Sequence, residues 1–432
     1  MSTDHAAMAA ASAEATPDQP EGAAPVTGGA RLANLDFIRG IAVLGILAAN
    51  IVAFGQTFSA YMWPAAWNGP VGDPLNWLWA AQFVIIDGKM RGLFTLLFGV
   101  GMALFMERAW ARGETRALQV RRLLFLLVFG FIHFFFIWRG DILMLYALTG
   151  LIALTMIGMR PKRQILLGGL LYLGGFLFYL LALALPYFVV DTAFGDAPAF
   201  APMRDVLLEA QEIVMADEER EIAIMTGGNY WQFVSHNFTA HWTDPLNTVF
   251  SFLFETLPLM LFGMGLYRLG LFSGTMPARK VALWGWAGVI VGTALTVWLA
   301  LSMRDQLTYW GSVAAFTAFM HLPRLPVVLG LAALLALYGA SAQGWLAERL
   351  SAAGRVAFTN YIGTSVLMML VFHPWAGGLW GELTRPELYL VVLLGWAVML
   401  WWSKPWLERY RYGPLEWLWR CLTYGRRFPF RR

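Results

Sequence analysis

Hydrophobic positions along this chain gather into long blocks, about ten of them, separated by mostly short polar stretches. A helix needs about 20 apolar residues to cross a hydrocarbon core of ~30 Å. On that measure the pattern predicts spans over residues 37–56, 77–106, 122–138, 141–158, 165–188, 248–267, 281–301, 312–340, 356–373 and 387–403. The expected fold is therefore all-α, a polytopic transmembrane helical bundle. The second and eighth blocks exceed a plain crossing at about 1.5 Å per residue, and each is interrupted. The second contains Asp87-Gly88-Lys89-Met90-Arg91 and the eighth His321-Leu322-Pro323-Arg324-Leu325-Pro326. Broken helices in a bilayer require protein or water to satisfy the freed backbone groups.

Charge sets the orientation. With the N-terminus inside, the inner segments hold 22 Lys and Arg and the outer segments 7, leaving aside Arg39 and Arg324 within spans. The positive-inside rule then places both termini in the cytoplasm, with an even number of spans. Composition agrees, since 59% of residues are hydrophobic and only 13% charged, against roughly 25% charged in soluble domains. A single cysteine, Cys421, excludes an intrachain disulfide and any cysteine-based metal cluster.

The organisation read from these features has four parts. Residues 1–30 form an Ala/Pro/Gly-rich arm without a basic n-region or apolar h-region, expected to be disordered. A five-span bundle follows over 31–190, then an extracytoplasmic loop over 191–247, then a second five-span unit with a basic aromatic tail over 248–427. The loop carries the acidic amphipathic stretch Leu207–Val214 and the aromatic run from Asn229 to Phe233. Two readings stand for it, an interfacial helix and a lid over a substrate site. The tail alternates Arg with Trp and Tyr (Trp406, Arg409, Arg411, Trp417, Trp419, Arg420), which suits the anionic inner leaflet. Lipid is the expected partner there, and not nucleic acid.

Five blocks carry a family resemblance. Leu35-Asp36-Phe37-Ile38-Arg39-Gly40 opens the first span, and Lys89-Met90-Arg91-Gly92-Leu93-Phe94-Thr95-Leu96-Leu97-Phe98-Gly99 follows the break in the second. Gly130-Phe131-Ile132-His133 precedes Gly140-Asp141-Ile142-Leu143 and Tyr146. Gly354-Arg355-Val356-Ala357-Phe358-Thr359-Asn360-Tyr361 and Tyr412-Gly413-Pro414-Leu415-Glu416-Trp417 close the set. Together they resemble the YeiB-like family, bacterial inner-membrane proteins defined by a C-terminal domain of unknown function, DUF418. The resemblance implies a multi-pass protein of the bacterial inner membrane.

The N-terminal helices are also similar to those of transmembrane acyltransferases, including heparan-α-glucosaminide N-acetyltransferase and the acyltransferase-3 proteins. Two histidines of those enzymes have no counterpart here. Asn50 stands eleven residues after Arg39, where acyltransferase-3 proteins carry His, and Pro64-Ala65-Ala66-Trp67-Asn68-Gly69 occupies the place of a His-Ala-Ser-Trp-Asn-Gly run. Thr364 stands where the YeiB-like family usually has Gln. Any acyl transfer would therefore rest on other residues.

Ionisable groups at membrane depth are costly, at about 2.5–3.5 kcal/mol on insertion scales, and call for a reason. Asp36 and Arg39 share a helix face. They read either as a site for a donor phosphate or as an ion pair at the interface. His133 and Asp141 flank the short Trp138-Arg139-Gly140 turn, so a tight hairpin brings them to one depth. The carboxylate would orient the imidazole as a general base, or else cap its own helix. These two form the candidate catalytic dyad. Asp87, Lys89 and Arg91 read as an anion site or as mutually neutralised charges. Asn50, Tyr146, Asn360 and Tyr361 complete the substrate-binding candidates, although Asn360 and Tyr361 equally suit hydrogen bonding between helices. His373, before Pro374, reads as a helix-end residue. His236 and His241 lie five apart with no third ligand evident, so no metal is expected.

No P-loop, dinucleotide fingerprint, HExxH or Gly-x-Ser-x-Gly motif stands in a suitable context. Three functions remain. The first is acyl transfer from a cytoplasmic thioester to an envelope acceptor, with acyl-CoA as co-substrate and no permanently bound cofactor. The second is transport of a small or lipid-linked anion through the two broken spans. The third is a non-catalytic accessory role.

Overall fold

The computed structural model describes residues 33–304, 307–339 and 341–432; the N-terminal arm lies outside them. Among the described residues the regular structure is all helical, apart from one isolated bridge between Tyr410 and Arg431. In order, the helices are α1 (Ala33–Gly55), α2 (Phe58–Met62), α3 (Trp77–Ile85), α4 (Lys89–Trp110), α5 (Arg116–Phe136), α6 (Leu143–Thr155), α7 (Pro161–Tyr179), α8 (Leu185–Asp191) and α9 (Ala201–Gly227). They continue as α10 (Tyr230–Ala240), α11 (Asp244–Arg268), α12 (Ala278–Met303), α13 (Tyr309–Val313), α14 (His321–Gly339), α15 (Trp345–Arg355), α16 (Ala357–Phe372), α17 (Arg385–Arg409) and α18 (Pro414–Tyr424).

Among the described residues, 8 helices are long and apolar enough to cross a membrane, and α15 with α16 forms an apolar pair bent by 87°, a broken span or a re-entrant loop. Large apolar side chains on α7, α12 and α17 stay exposed, among them Leu170, Leu177, Trp284, Trp298, Leu394 and Trp401. Exposed apolar side chains of this kind on membrane-length helices suit contact with lipid.

Two expectations about the spans change. The fourth block yields only the 13 residues of α6, because the chain from Trp138 to Ile142 is spent on the turn that returns Asp141 toward α5. The eighth block breaks before its prolines. A π-helical stretch, Ala314–Phe319, separates α13 from α14. Pro323 falls within the first turn of α14, where its missing N–H costs no intrahelical bond.

Close packing at glycine joins the quoted blocks. A Cβ on Gly40 would lie 2.0 Å from the Leu350 carbonyl oxygen, and one on Gly354 would lie 1.8 Å from that of Asp36. The opening block and the first closing block thus meet backbone to backbone where α1 crosses α15. Gly99 and Gly263 do the same for α4 and α11, against the carbonyls of Met260 and Leu96. Small residues permit such approaches between membrane helices.

The second closing block caps the first. Glu416, on α18, accepts hydrogen bonds from the backbone N–H groups of Phe358 (2.8 Å) and Thr359 (3.1 Å) and from Thr359 Oγ1 (2.5 Å). These are orphan donors in the first turn of α16. Trp419 donates to the Arg122 carbonyl at 2.9 Å, so α18 packs along α5 as well as presenting a polar face.

Candidate functional site

The break between α3 and α4 is made by Gly88 at φ 70°, a left-handed conformation that glycine adopts without steric cost. It turns Asp87 inward, where burial is nearly complete. Asp87 Oδ1 accepts from Tyr61 OH and from Gln82 Nε2, each at 3.0 Å. Gln82 Oε1 accepts in turn from Tyr389 OH on α17 at 2.6 Å. Lys89 and Arg91 do not pair with Asp87. The Lys89 ammonium donates to the Phe83 carbonyl at 2.5 Å and is fully buried. The proposed cationic pair is thereby split.

Arg91 turns instead to Glu255 on α11, at 2.9 Å. The second oxygen of Glu255 pairs with Arg324 of α14, which also donates to the Phe316 carbonyl at 2.7 Å. One carboxylate thus clamps two guanidinium groups from the two interrupted segments. The interruptions themselves touch, since a Cβ on Gly88 would meet the Arg324 side chain at 2.2 Å. Glu255 was not singled out from the sequence, although a lone carboxylate in an apolar run is itself a signal.

The His133–Asp141 hairpin forms as the sequence predicts. His133, with no exposed surface, places Nδ1 at 2.8 Å from Asp141 Oδ1. An ionised carboxylate can only accept, so beside it a neutral His133 ring carries its proton on Nδ1 and its lone pair on Nε2. Nε2 has no hydrogen-bond partner. Asp141 Oδ2 accepts from the Met144 backbone N–H at 2.7 Å; the orienting and capping roles are filled at once by the two oxygens. Gly130 makes room, since a Cβ there would stand 3.0 Å from Asp141 Oδ2 and 2.6 Å from Met144 N.

Tyr361 closes the hairpin from α16. Its hydroxyl accepts from the Ile142 N–H at 3.1 Å and donates to the Gly140 carbonyl at 3.3 Å, and its ring stands 5.1 Å from that of His133. Trp138 packs on the other side, its indole N–H donating to the Ala53 carbonyl at 3.2 Å. Further along α6, Tyr146 OH lies 2.6 Å from Thr95 Oγ1 and donates to the Arg91 carbonyl at 3.2 Å. α6 therefore connects the histidine hairpin to the Glu255 clamp.

The remaining candidates lie apart. Asp36 and Arg39 form the expected i,i+3 pair at 2.7 Å, with Arg39 partly exposed near the start of α1. Asn50 is half-buried on the same helix. Asn360 is held by protein alone: its amide donates to the Ala353 carbonyl (3.1 Å) and Ser403 Oγ (3.2 Å) and accepts from the Trp402 indole (2.8 Å). It links α15, α16 and α17. His373 is buried against Phe233 and Trp375.

Above the hairpin lie α9 and α10, docked by specific contacts. Asn237 and Tyr230 donate to the Phe135 (3.2 Å) and Phe136 (3.0 Å) carbonyls, satisfying orphan acceptors at the end of α5. Glu218 accepts from the Ser59 N–H at 2.7 Å, and Glu221 pairs with Arg139 of the hairpin turn. Burial pushes the Glu218 carboxyl above its usual range despite the Ser59 bond, and pushes the His236 imidazole below its own. Trp231 and Trp242 of this region remain exposed. The region is thus both docked on the bundle and aromatic outward.

The family model described as a protein of unknown function (DUF418) matches residues 266–426. Over 410 residues, 91% of this chain and 96% of the relative, the sequence is 31% identical to the uncharacterized protein YeiB of Escherichia coli (strain K12). The chain belongs to the YeiB family. Another YeiB-family relative, the uncharacterized protein YxaH of Bacillus subtilis (strain 168), is 28% identical over 413 residues, covering 91% of this chain and 94% of its own. No solved structure matches. The YeiB-family blocks include those that build the glycine contacts, the Glu416 cap and the histidine hairpin.

Proposed function

We propose that this membrane protein transfers an acyl group from a thioester donor to a hydroxyl or amine acceptor, with His133 as general base. The observation that carries the reading is the His133–Asp141 pair, in which Nδ1 is tied to a carboxylate and Nε2 is buried without a partner. An imidazole fixed in that tautomer is ready to take a proton at Nε2. The acceptor's O–H or N–H would lose its proton to Nε2 as its heteroatom attacks the thioester carbonyl. Collapse would break the C–S bond, and the imidazolium would return the proton to the departing thiolate. General-base action of this kind contributes about 10²–10⁴-fold.

Asp141 acts by holding the imidazole in place and stabilising its charged form, and Tyr361 positions the turn that carries Asp141. Arg39 at the partly exposed end of α1 suits a phosphate of the donor. Lys89 is given no role, because its ammonium is committed to the Phe83 carbonyl. The enclosed state of His133 means that substrate entry requires the hairpin surroundings to open.

A second reading, anion transport, draws on one observation: the interruptions in α3–α4 and α13–α14 meet at Gly88 and Arg324. Discontinuous helices at a shared depth are a feature of many transporters. The discriminating experiment supplies inverted vesicles with radiolabelled acetyl-CoA and counts label in lipid and glycan fractions. Label above that of vesicles lacking the protein supports acyl transfer. Background label, together with cysteine labelling near Gly88 that changes with membrane potential, favours transport.

A further inference from the structure

Asp217 of α9 joins His236 of α10 and His241, the residue that follows α10, in a cluster that the sequence spacing did not reveal. Their ligand-capable atoms lie within 4.8 Å of one another. His236 Nε2 and His241 Nε2 are 3.3 Å apart. His241 Nε2 is 3.2 Å from Asp217 Oδ2, and His236 Nε2 is 3.6 Å from Asp217 Oδ1. A tetrahedral ion with bonds of about 2.0–2.1 Å has ligand–ligand edges of about 3.3 Å. The His236–His241 and His241–Asp217 Oδ2 edges match that figure, while His236 faces the other Asp217 oxygen, so a shared ion calls for a small rotation of that carboxylate.

The tautomer of His241 points the same way. Its Nδ1 lies 2.9 Å from Asp244 Oδ2, and a carboxylate partner fixes the proton on Nδ1. Nε2 then directs a lone pair at a carboxylate oxygen and at a second imidazole nitrogen. Nitrogen and carboxylate donors gathered this closely are the kind of group that a divalent cation bridges. A carboxylate behind a ligating histidine is also the usual outer partner of a zinc-bound imidazole.

Arg139 brings an opposing charge, its guanidinium nitrogen lying 3.0 Å from His241 Nδ1 and 2.6 Å from Nε2. The two lone-pair axes of an imidazole diverge, so a single donor near both nitrogens occupies neither axis. Arg139 is also paired with Glu221. Asp217, Asp244 and Glu221 together leave the region net negative beside one guanidinium.

We propose that Asp217, His236 and His241 bind a divalent zinc-class ion, with Asp244 orienting His241 and a fourth position open to solvent or a further ligand. The donor set of two imidazoles and one carboxylate suits zinc. The ion would pin α9 to α10 and hold this cover against Arg139, two residues from Asp141. The site does not depend on the acyl-transfer reading, and its test does not use activity.

The test loads the full-length protein, purified in detergent and stripped with EDTA, with Zn²⁺, then desalts it and measures metal by mass spectrometry. Wild type is expected to retain one zinc per chain. His236→Gln and Asp217→Asn should retain less than about a tenth of that, and Asp244→Asn should bind about 10–100-fold more weakly. Co²⁺ in place of Zn²⁺ should give wild type the intense visible bands of a tetrahedral site, a readout independent of whether any variant folds. Retention of less than a tenth of an equivalent by wild type, full retention by the His236→Gln/His241→Gln double variant, or absence of the cobalt bands would each overturn the proposal.

Discussion

His133 Nδ1 and Asp141 Oδ1, eight positions apart in the chain, face each other at 2.8 Å across a short turn. The same Asp141 holds the start of α6 through its second oxygen. Orientation of the imidazole and entry into the next helix therefore depend on one side chain.

Asp141→Asn separates these roles. Its amide oxygen can still cap Met144, while the amide nitrogen presented to His133 would favour the tautomer with the lone pair on Nδ1. The protein should accumulate normally, and acyl transfer in vesicles should fall about 10²–10⁴-fold. A variant of normal abundance with unchanged transfer would remove Asp141 from the mechanism.

Glu255 neutralises Arg324 and Arg91 together. Glu255→Gln leaves the buried Arg324 without its counter-charge, which costs about 3–5 kcal/mol for a buried pair. Thermal unfolding in detergent should show a much lower midpoint, or the protein should fail to accumulate. Arg91→Met should be milder, because that side chain retains 25% of its exposure. Equal midpoints for wild type and Glu255→Gln would contradict the clamp.

Glu416→Ala removes three acceptor contacts from the first turn of α16. The expected loss is at least the ~1–2 kcal/mol typical of a helix cap, read as a lower unfolding midpoint. Glu416→Gln keeps one acceptor oxygen and should lie between. An alanine variant as stable as wild type would show that α18 holds α16 by other contacts.

Several of these features were legible in the sequence for physical reasons. The spans could be read because a lipid-facing helix cannot hide its composition, and the break at Asp87–Gly88 because charge and glycine are both expensive inside an apolar helix. His133 and Asp141 flank a turn too short to separate them. Asp217 was not legible as a third ligand, since only the antiparallel return of α10 along α9 brings it to His236 and His241. Lys89 misled for a related reason: sequence adjacency to Asp87 suggested pairing, but the left-handed Gly88 turns the two side chains to different partners. The polar and proline run His321–Pro326 points to an interruption within the eighth span, whereas the π-helical stretch before His321 supplies the break.

Glu218 gives a pH dependence of known sign. Burial raises its folded-state pKa above the ordinary 4.5, so the folded chain holds that proton more tightly than the unfolded one. Its contribution is most favourable below about pH 4.5, declines as pH rises toward the raised value, and is flat above it. Stability of wild type relative to Glu218→Gln should therefore fall through that window, measured as midpoints at a series of pH values. A difference independent of pH would contradict the assignment of burial as the dominant cause.

The most direct test of the central claim compares wild type with His133→Gln in inverted vesicles at matched expression, using radiolabelled acetyl-CoA. Glutamine approximates the size of the imidazole and can still donate to Asp141, but it cannot take up a proton. Wild-type-dependent label is expected in a lipid or glycan fraction, falling by about 10²-fold or more in the variant. Label at the wild-type level in His133→Gln would contradict His133 as the base.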